Sequence, residues 1–160
     1  MPTQGQYRKL YGKFKFVVRI QNIPFSGYKS CSEFKIDIGE MKYREGGALV
    51  PYKEPALAEF ADLTLARGLG TERDTWDWVM EVVNVMAKLP GGIGVPSPQF
   101  FRDGAIDQMD RDDSVAIIRH VAWAWPKSYS SGDWDNDAEE VSIEQLVLAY
   151  HHGWEEKIAA

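Results

Sequence analysis

The densest run of chemically capable side chains in this 160-residue sequence is Asp133-Trp134-Asp135-Asn136-Asp137-Ala138-Glu139-Glu140. With Glu144 it matches the carboxylate spacing of a calcium loop at positions one, three, five and twelve, where oxygens close around a hard cation. Position six is Ala138, where that turn wants glycine, and Ser142 to Tyr150 patterns as a strand rather than a helix. The run reads as a solvated acidic turn. His120, His151 and His152 are the histidines. Zinc needs three or four converging ligands, and adjacent histidines on a strand point to opposite faces. His120 falls in an apolar strand and reads as a hydrogen-bonded, buried or half-buried side chain. Cys31 is the single cysteine, which excludes an intrachain disulfide and suits a reducing compartment. Only Lys29 is near enough in sequence to activate it, so it reads as inert. Gly91-Gly92-Ile93-Gly94 lacks the strand, helix and lysine of a phosphate loop. The tryptophans Trp76, Trp123 and Trp125 have the spacing of packed positions rather than of a stacking platform. No catalytic residue, metal ligand or cofactor is expected.

The elements that carry these residues are mostly strands. Phe14 to Ile20 alternates, with Phe14, Phe16, Val18 and Ile20 inward. A turn at Ile23 to Gly27 leads to a second strand with Phe34, Ile36 and Ile38 on one face and Lys35 and Asp37 on the other. Its phase slips at Gly39-Glu40 before Met41 and Tyr43, which predicts a β-bulge. Arg44 to Gly47 opens a loop, and Pro51 and Pro55 keep the next stretch out of any central strand. Alternation resumes from Phe60 to Arg67. Thr71 then offers an N-cap hydroxyl with Asp74 three positions on, and Trp76, Val79, Met80, Val83 and Met86 recur at helical spacing up to Pro90. Residues 91–113 read as a long surface loop. Ser114 to Trp125 is a strand apolar on both faces, and a last strand runs from Glu140 to about His151.

Composition bounds the class. Hydrophobic residues make up 44% and charged residues 26%, too apolar for disorder, and no apolar run approaches the ~20 residues of a membrane span. No secretory signal pattern opens the chain. The net charge of −6 makes a poor nucleic-acid binder. One domain over residues 1–160 is expected, mainly β with one α-helix packed outside an antiparallel sandwich or barrel. Several long strands, one apolar on both faces, leave more sheet than one copy covers, so self-assembly follows. The alternative is a monomeric closed β-barrel that binds a small molecule among its tryptophans.

Four stretches make the sequence similar to a known family. They are Lys13 to Ile20; Cys31-Ser32-Glu33-Phe34 through Tyr43-Arg44-Glu45-Gly46-Gly47; Leu63-Thr64-Leu65-Ala66-Arg67-Gly68-Leu69 with Trp76-Asp77-Trp78; and Ala124-Trp125-Pro126 with Glu140 to His151. In this order they resemble the tail tube proteins of contractile-tailed phages and of related phage tail-like contractile injection systems. Residues 91–113 depart from it, being longer than the short turn common in the family.

The resemblance implies a structural subunit with no turnover. Six copies would form a ring whose sheets join into one inner β-barrel, and rings would stack into a tube. Its partners would be further copies of itself, a sheath protein, and baseplate or tube-initiator proteins. DNA or effector cargo would pass through the lumen without specific binding. Assembly would take place in the bacterial cytoplasm, with the product part of a virion or a released particle, and without membrane insertion. Tyr43, Arg44, Glu45, Gly46 and Gly47 would form a subunit-contact loop, and Lys35, Asp37, Glu40 and Lys42 would lie at the lumen or rim.

Overall fold

The computed structural model describes residues 10–24, 27–87 and 100–158. Among them the chain runs β1 (Phe16–Ile20), β2 (Ser30–Cys31), β3 (Ile36–Tyr43), β4 (Tyr52–Phe60), β5 (Leu63–Gly68), α1 (Asp74–Ala87), β6 (Arg102–Met109), β7 (Val115–Ser130), β8 (Ile143–Ala149) and β9 (His152–Lys157). All strand pairs are antiparallel. One seven-stranded sheet follows the path β1-β6-β7-β8-β5-β2, with β9 also on β7, while among the described residues β3 and β4 pair only with each other. β7 joins the two layers. Its first half lies between β6 and β9, and from Trp125 it pairs with β8. The crossing falls at Trp123, whose φ of 57° bends the strand.

The core lies between these layers. Val18, Ile20, Ile106 and Val121 from one side meet Leu63, Leu65, Leu146 and Leu148 from the other, with Trp78 of α1 among them. Trp78 is 0% exposed, donates its indole N–H to the Phe100 carbonyl at 2.8 Å, and lies under the Arg102 guanidinium. Its ring body supplies apolar area while its one donor is paired, which is how a tryptophan is buried without loss. The path stays open between β1 and β2. The closed, tryptophan-lined barrel of the alternative reading does not form: its interior is filled, and Trp76, Trp123, Trp134 and Trp154 are exposed.

Several expectations are corrected. Residues 102–109 of the expected loop are β6, paired with β1 on one side and β7 on the other; residues 91–99 lie outside the described residues. Polar residues hide this strand in the sequence. Asp107 is buried because Arg19 grips it with two hydrogen bonds of 2.6 and 2.8 Å. Gly104 breaks the pattern because a Cβ there would stand 3.1 Å from Val121 and 3.2 Å from the Arg19 carbonyl. The helix begins at Asp74, with the Asp77 N–H bonded to the Arg73 carbonyl, so Thr71 is not its cap. Its buried face is turned from the expected stripe: Thr75 and Trp78 face the core, and Trp76 is 42% exposed. Phe14 lies outside β1 and is exposed. Trp123 and Trp125 do not share a buried face, because the bend turns Trp123 outward. The strand expected from Glu140 to about His151 is β8, which begins only at Ile143, and a further strand that was not expected, β9, follows it and pairs with β7.

Candidate functional site

The most unusual surface is the β3–β4 arm. All eight residues of β3 are exposed, and β4 is exposed except at Ala56 and Phe60. Ile36 and Ile38, expected to face a core, face solvent. The expected irregularity is present between Ile38 and Glu40, but the extra residue sits on β4: Ile38 pairs with Ala58 and Glu40 with Pro55. Gly39 accommodates it, since a Cβ there would lie 3.2 Å from the Ala56 Cβ. Pro55 is tolerated because the strand beside it belongs to a free arm rather than to a sheet centre.

Strand alternation divides the arm into two faces. Ile36, Ile38, Glu40 and Lys42 share one, where the Lys53 ammonium approaches Glu40 at 3.7 Å. Asp37, Met41 and Tyr43 share the other, where Lys35 lies 3.6 Å from Asp37. The four expected lumen or rim residues therefore fall on one arm but on opposite faces. At the tip, Tyr43 closes the ladder opposite Tyr52. The Ala48 N–H donates to the Glu45 carbonyl and Arg44 Nε to the Ala48 carbonyl, both at 3.1 Å, folding the turn on itself. Gly47 takes φ +86°, a conformation that favours glycine. Leu49, 95% exposed, and Val50 project beyond it. Tyr52 donates to Glu54 at 2.6 Å, and that carboxylate raises the phenol's pKa.

The body beside the arm carries a groove of about 530 Å³ between α1 and the second half of β7. Val79, Val82, Val83 and Met86 form its helix wall, and Trp125 to Tyr129 form its strand wall. Sequence reasoning placed the helix stripe in the core and so missed this surface. On the other side of the helix N-terminus lies a buried ion pair, Arg67 Nε to Glu144 Oε1, between residues directly opposite on β5 and β8. Glu144 Oε2 also accepts from the Tyr129 hydroxyl at 2.8 Å, and Arg73 donates to that same hydroxyl at 2.9 Å. Glu144, weighed as a calcium ligand, is instead held here among cationic and hydroxyl donors.

The acidic run, His120 and Cys31 lie in separate settings. Asp135 accepts from the Asp137 N–H at 3.0 Å, forming a short turn within the acidic run. His120 stacks on Trp154 with ring centroids 4.9 Å apart and meets Glu156 at 2.9 Å. Burial pushes the Cys31 thiol up to about 11.

No protein of curated function matches the chain in sequence. Solved structures similar in fold include the anti-feeding prophage tube terminating cap, at TM-score 0.77 and 17% identity over 99% of this chain and 100% of that one. A chain of the extended sheath-tube complex of the extracellular contractile injection system PVC follows at TM-score 0.75 and 18% identity over 93% of each. A type six secretion system protein is more distant, at TM-score 0.56 and 11% identity over 90% of this chain and 83% of that one. Among the described residues no helix is long and apolar enough to cross a membrane. Residues 12–155, nearly the whole chain, match the family described as T4-like virus tail tube protein gp19, and the chain belongs to that family.

Proposed function

We propose that the chain is a structural subunit of the inner tube of a phage tail or phage tail-like contractile injection system. Copies associate into six-membered rings around an open channel, and the rings stack. The carrying observation is the arm. A two-stranded hairpin is marginal in water by itself, yet here it displays Ile38, Leu49 and Leu57 to solvent and pairs with nothing else among the described residues. Such a surface is stable when a neighbour covers it. Family membership supports the tube in particular.

In this reading Tyr43, Arg44, Glu45, Gly46 and Gly47 form the contact loop at the arm's tip, and Lys35, Asp37, Glu40 and Lys42 lie along the lumen or rim. DNA or effector cargo passes without specific contact, because the two lysines and two carboxylates balance and the open bore leaves water between wall and cargo. The fold-level likeness to tube chains of sheath, baseplate and terminator assemblies supports a sheath protein and baseplate or initiator proteins as further partners. Assembly takes place in the bacterial cytoplasm, and the subunit does no chemistry. Negative-stain electron microscopy of the purified protein should show rings or tubes. Gly46→Trp tests the tip, because nothing lies within 4 Å of a Cβ at Gly46 and its φ is ordinary. It should block assembly and spare the fold. Monomers at high concentration, with no particles, would refute the tube.

A further inference from the structure

We infer that the cleft between β1 and β2 receives the acidic β7–β8 loop of a second copy, with the Trp134 indole seated in it. This rests on the tube reading and adds to it a contact in which the arm takes no part. The seven-stranded sheet ends at β1 on one side and at β2 on the other. Between these borders lies a cleft of about 650 Å³, whose walls include Phe16 of β1 and Cys31 of β2. Its apolar lining of Phe16, Phe34 and Ile106 belongs to the core or packs against it. The volume is of the size that holds a small ligand, enough for one indole. Among the described residues lining it, Lys13, Lys29 and Arg119 outnumber one carboxylate, Glu33, in a chain whose net charge is −6. Arg119 is engaged by Glu155 at 3.4 Å and by Gln108 at 3.0 Å, whereas Lys13 and Lys29 enter no ion pair among the described residues.

The loop fits in charge, in shape and in place. Asp133, Asp135, Asp137, Glu139 and Glu140 bring five carboxylates and no cation, the complement of two lysines that lack an anion. Trp134 stands among them and, at 79%, is the most exposed tryptophan among the described residues. A turn presents it: the Asp135 carboxylate accepts the Asp137 N–H at 3.0 Å, and the Asp135 carbonyl accepts the Ala138 N–H at 3.3 Å. The loop joins β7 to β8, the cleft borders β2, and β5 lies between β8 and β2 in the sheet. Two strand spacings, about 10 Å, therefore separate β8 from the β2 wall, and none of residues 133–140 lines the cleft of its own chain. Copies set side by side bring the loop border of one to the cleft border of the next. The contact is head-to-tail, so it repeats around a ring rather than stopping at a dimer. A tryptophan entering a desolvated recess, ringed by paired charges, has the anatomy of a strong contact point.

Charge-reversed variants test this as a pair. Lys13→Glu with Lys29→Glu reverses the cleft and keeps the loop; Asp133→Lys with Glu139→Lys reverses the loop and keeps the cleft. All four positions are exposed, so both chains should keep the wild-type circular dichroism spectrum. Each alone sets like charges against each other, and in sedimentation should need about tenfold more protein than the wild type to assemble. Mixed in equal amounts, each variant's loop meets the other's cleft with opposite charge, so alternating rings should form within about threefold of the wild-type concentration. Trp134→Ala keeps every charge and should also weaken assembly about tenfold. Assembly of any of the three variants at the wild-type concentration, or a mixture no better than its parts, would overturn the contact and leave the tube reading intact. A wild type that stays an 18.1 kDa monomer would overturn both.

Discussion

Replacing Glu144 by glutamine keeps its shape and removes its charge. In the native structure the Arg67 and Glu144 side chains are each 3% exposed, and Glu144 also takes the Tyr129 hydroxyl at 2.8 Å and lies 3.7 Å from Arg73. Neither charge has bulk water to turn to. With the carboxylate gone, Arg67 loses the charged acceptor directly opposite it on β8. Removing one partner of a buried pair costs about 3–5 kcal/mol, against a total stability of about 5–15 kcal/mol for a domain. For a chain of this length each kcal/mol moves Tm by about 2–4 °C, so Glu144→Gln should lower Tm by about 12 °C. Urea unfolding should be measured on the Ile38→Lys background, so that assembly does not add to the apparent stability. The double replacement Arg67→Met with Glu144→Leu should recover most of the loss, because apolar residues of similar volume lift the desolvation of both ions. A single-variant loss under about 1 kcal/mol, or a double variant no better than the single, would refute the claim that this pair is desolvated.

Three further outcomes follow from named contacts. With its pKa raised from 9.0 to about 11 by burial, Cys31 is almost wholly a neutral thiol at pH 8. It should react with a disulfide reagent roughly 10-fold more slowly than an ordinary exposed cysteine, the smaller thiolate fraction being partly offset by a more nucleophilic thiolate, and the rate should keep rising with pH beyond 10; a normal rate at pH 8 would show that the site opens readily. Trp78→Phe removes the donor to the Phe100 carbonyl and leaves part of the indole's volume empty, which should cost about 2–3 kcal/mol in urea unfolding. Gly153→Ala would set a Cβ 2.7 Å from the Phe34 ring and 3.1 Å from the His120 carbonyl. It should cost about 1–3 kcal/mol, with Phe34→Leu restoring part of the loss.

The sheet was largely legible where both faces of a strand could be read against one core. Phe16, Val18 and Ile20 of β1 and Leu63 and Leu65 of β5 alternate in sequence and face inward in the structure, apart from the half-buried Phe16. The bulge near Gly39 was legible as well, because glycine and a phase slip coincide there. β6 was not. Its strand character rests on an ion pair between Asp107 and Arg19, far apart in sequence, and on a glycine selected by close packing rather than by a turn. Local pattern carries no trace of a partner on another strand. The helix face was misjudged for a related reason: α1 has apolar residues over more than half its circumference, and periodicity does not tell which part meets the core.

That ambiguity in α1 and the one in β3 have the same physical origin. Ile36 and Ile38 alternate as core residues do, and Val83 and Met86 keep the spacing of core residues, yet all four are exposed in the single chain. Alternation records that an apolar face is covered in the working state; it does not record whose atoms cover it. A subunit whose function is geometry must therefore carry core-like patterns on its surface, and two of them must be complementary if one sequence is to propagate. Where sequence reading expected Ile38 in a core and the structure places it in solvent, the disagreement falls on the surface that the tube reading gives to a neighbouring copy.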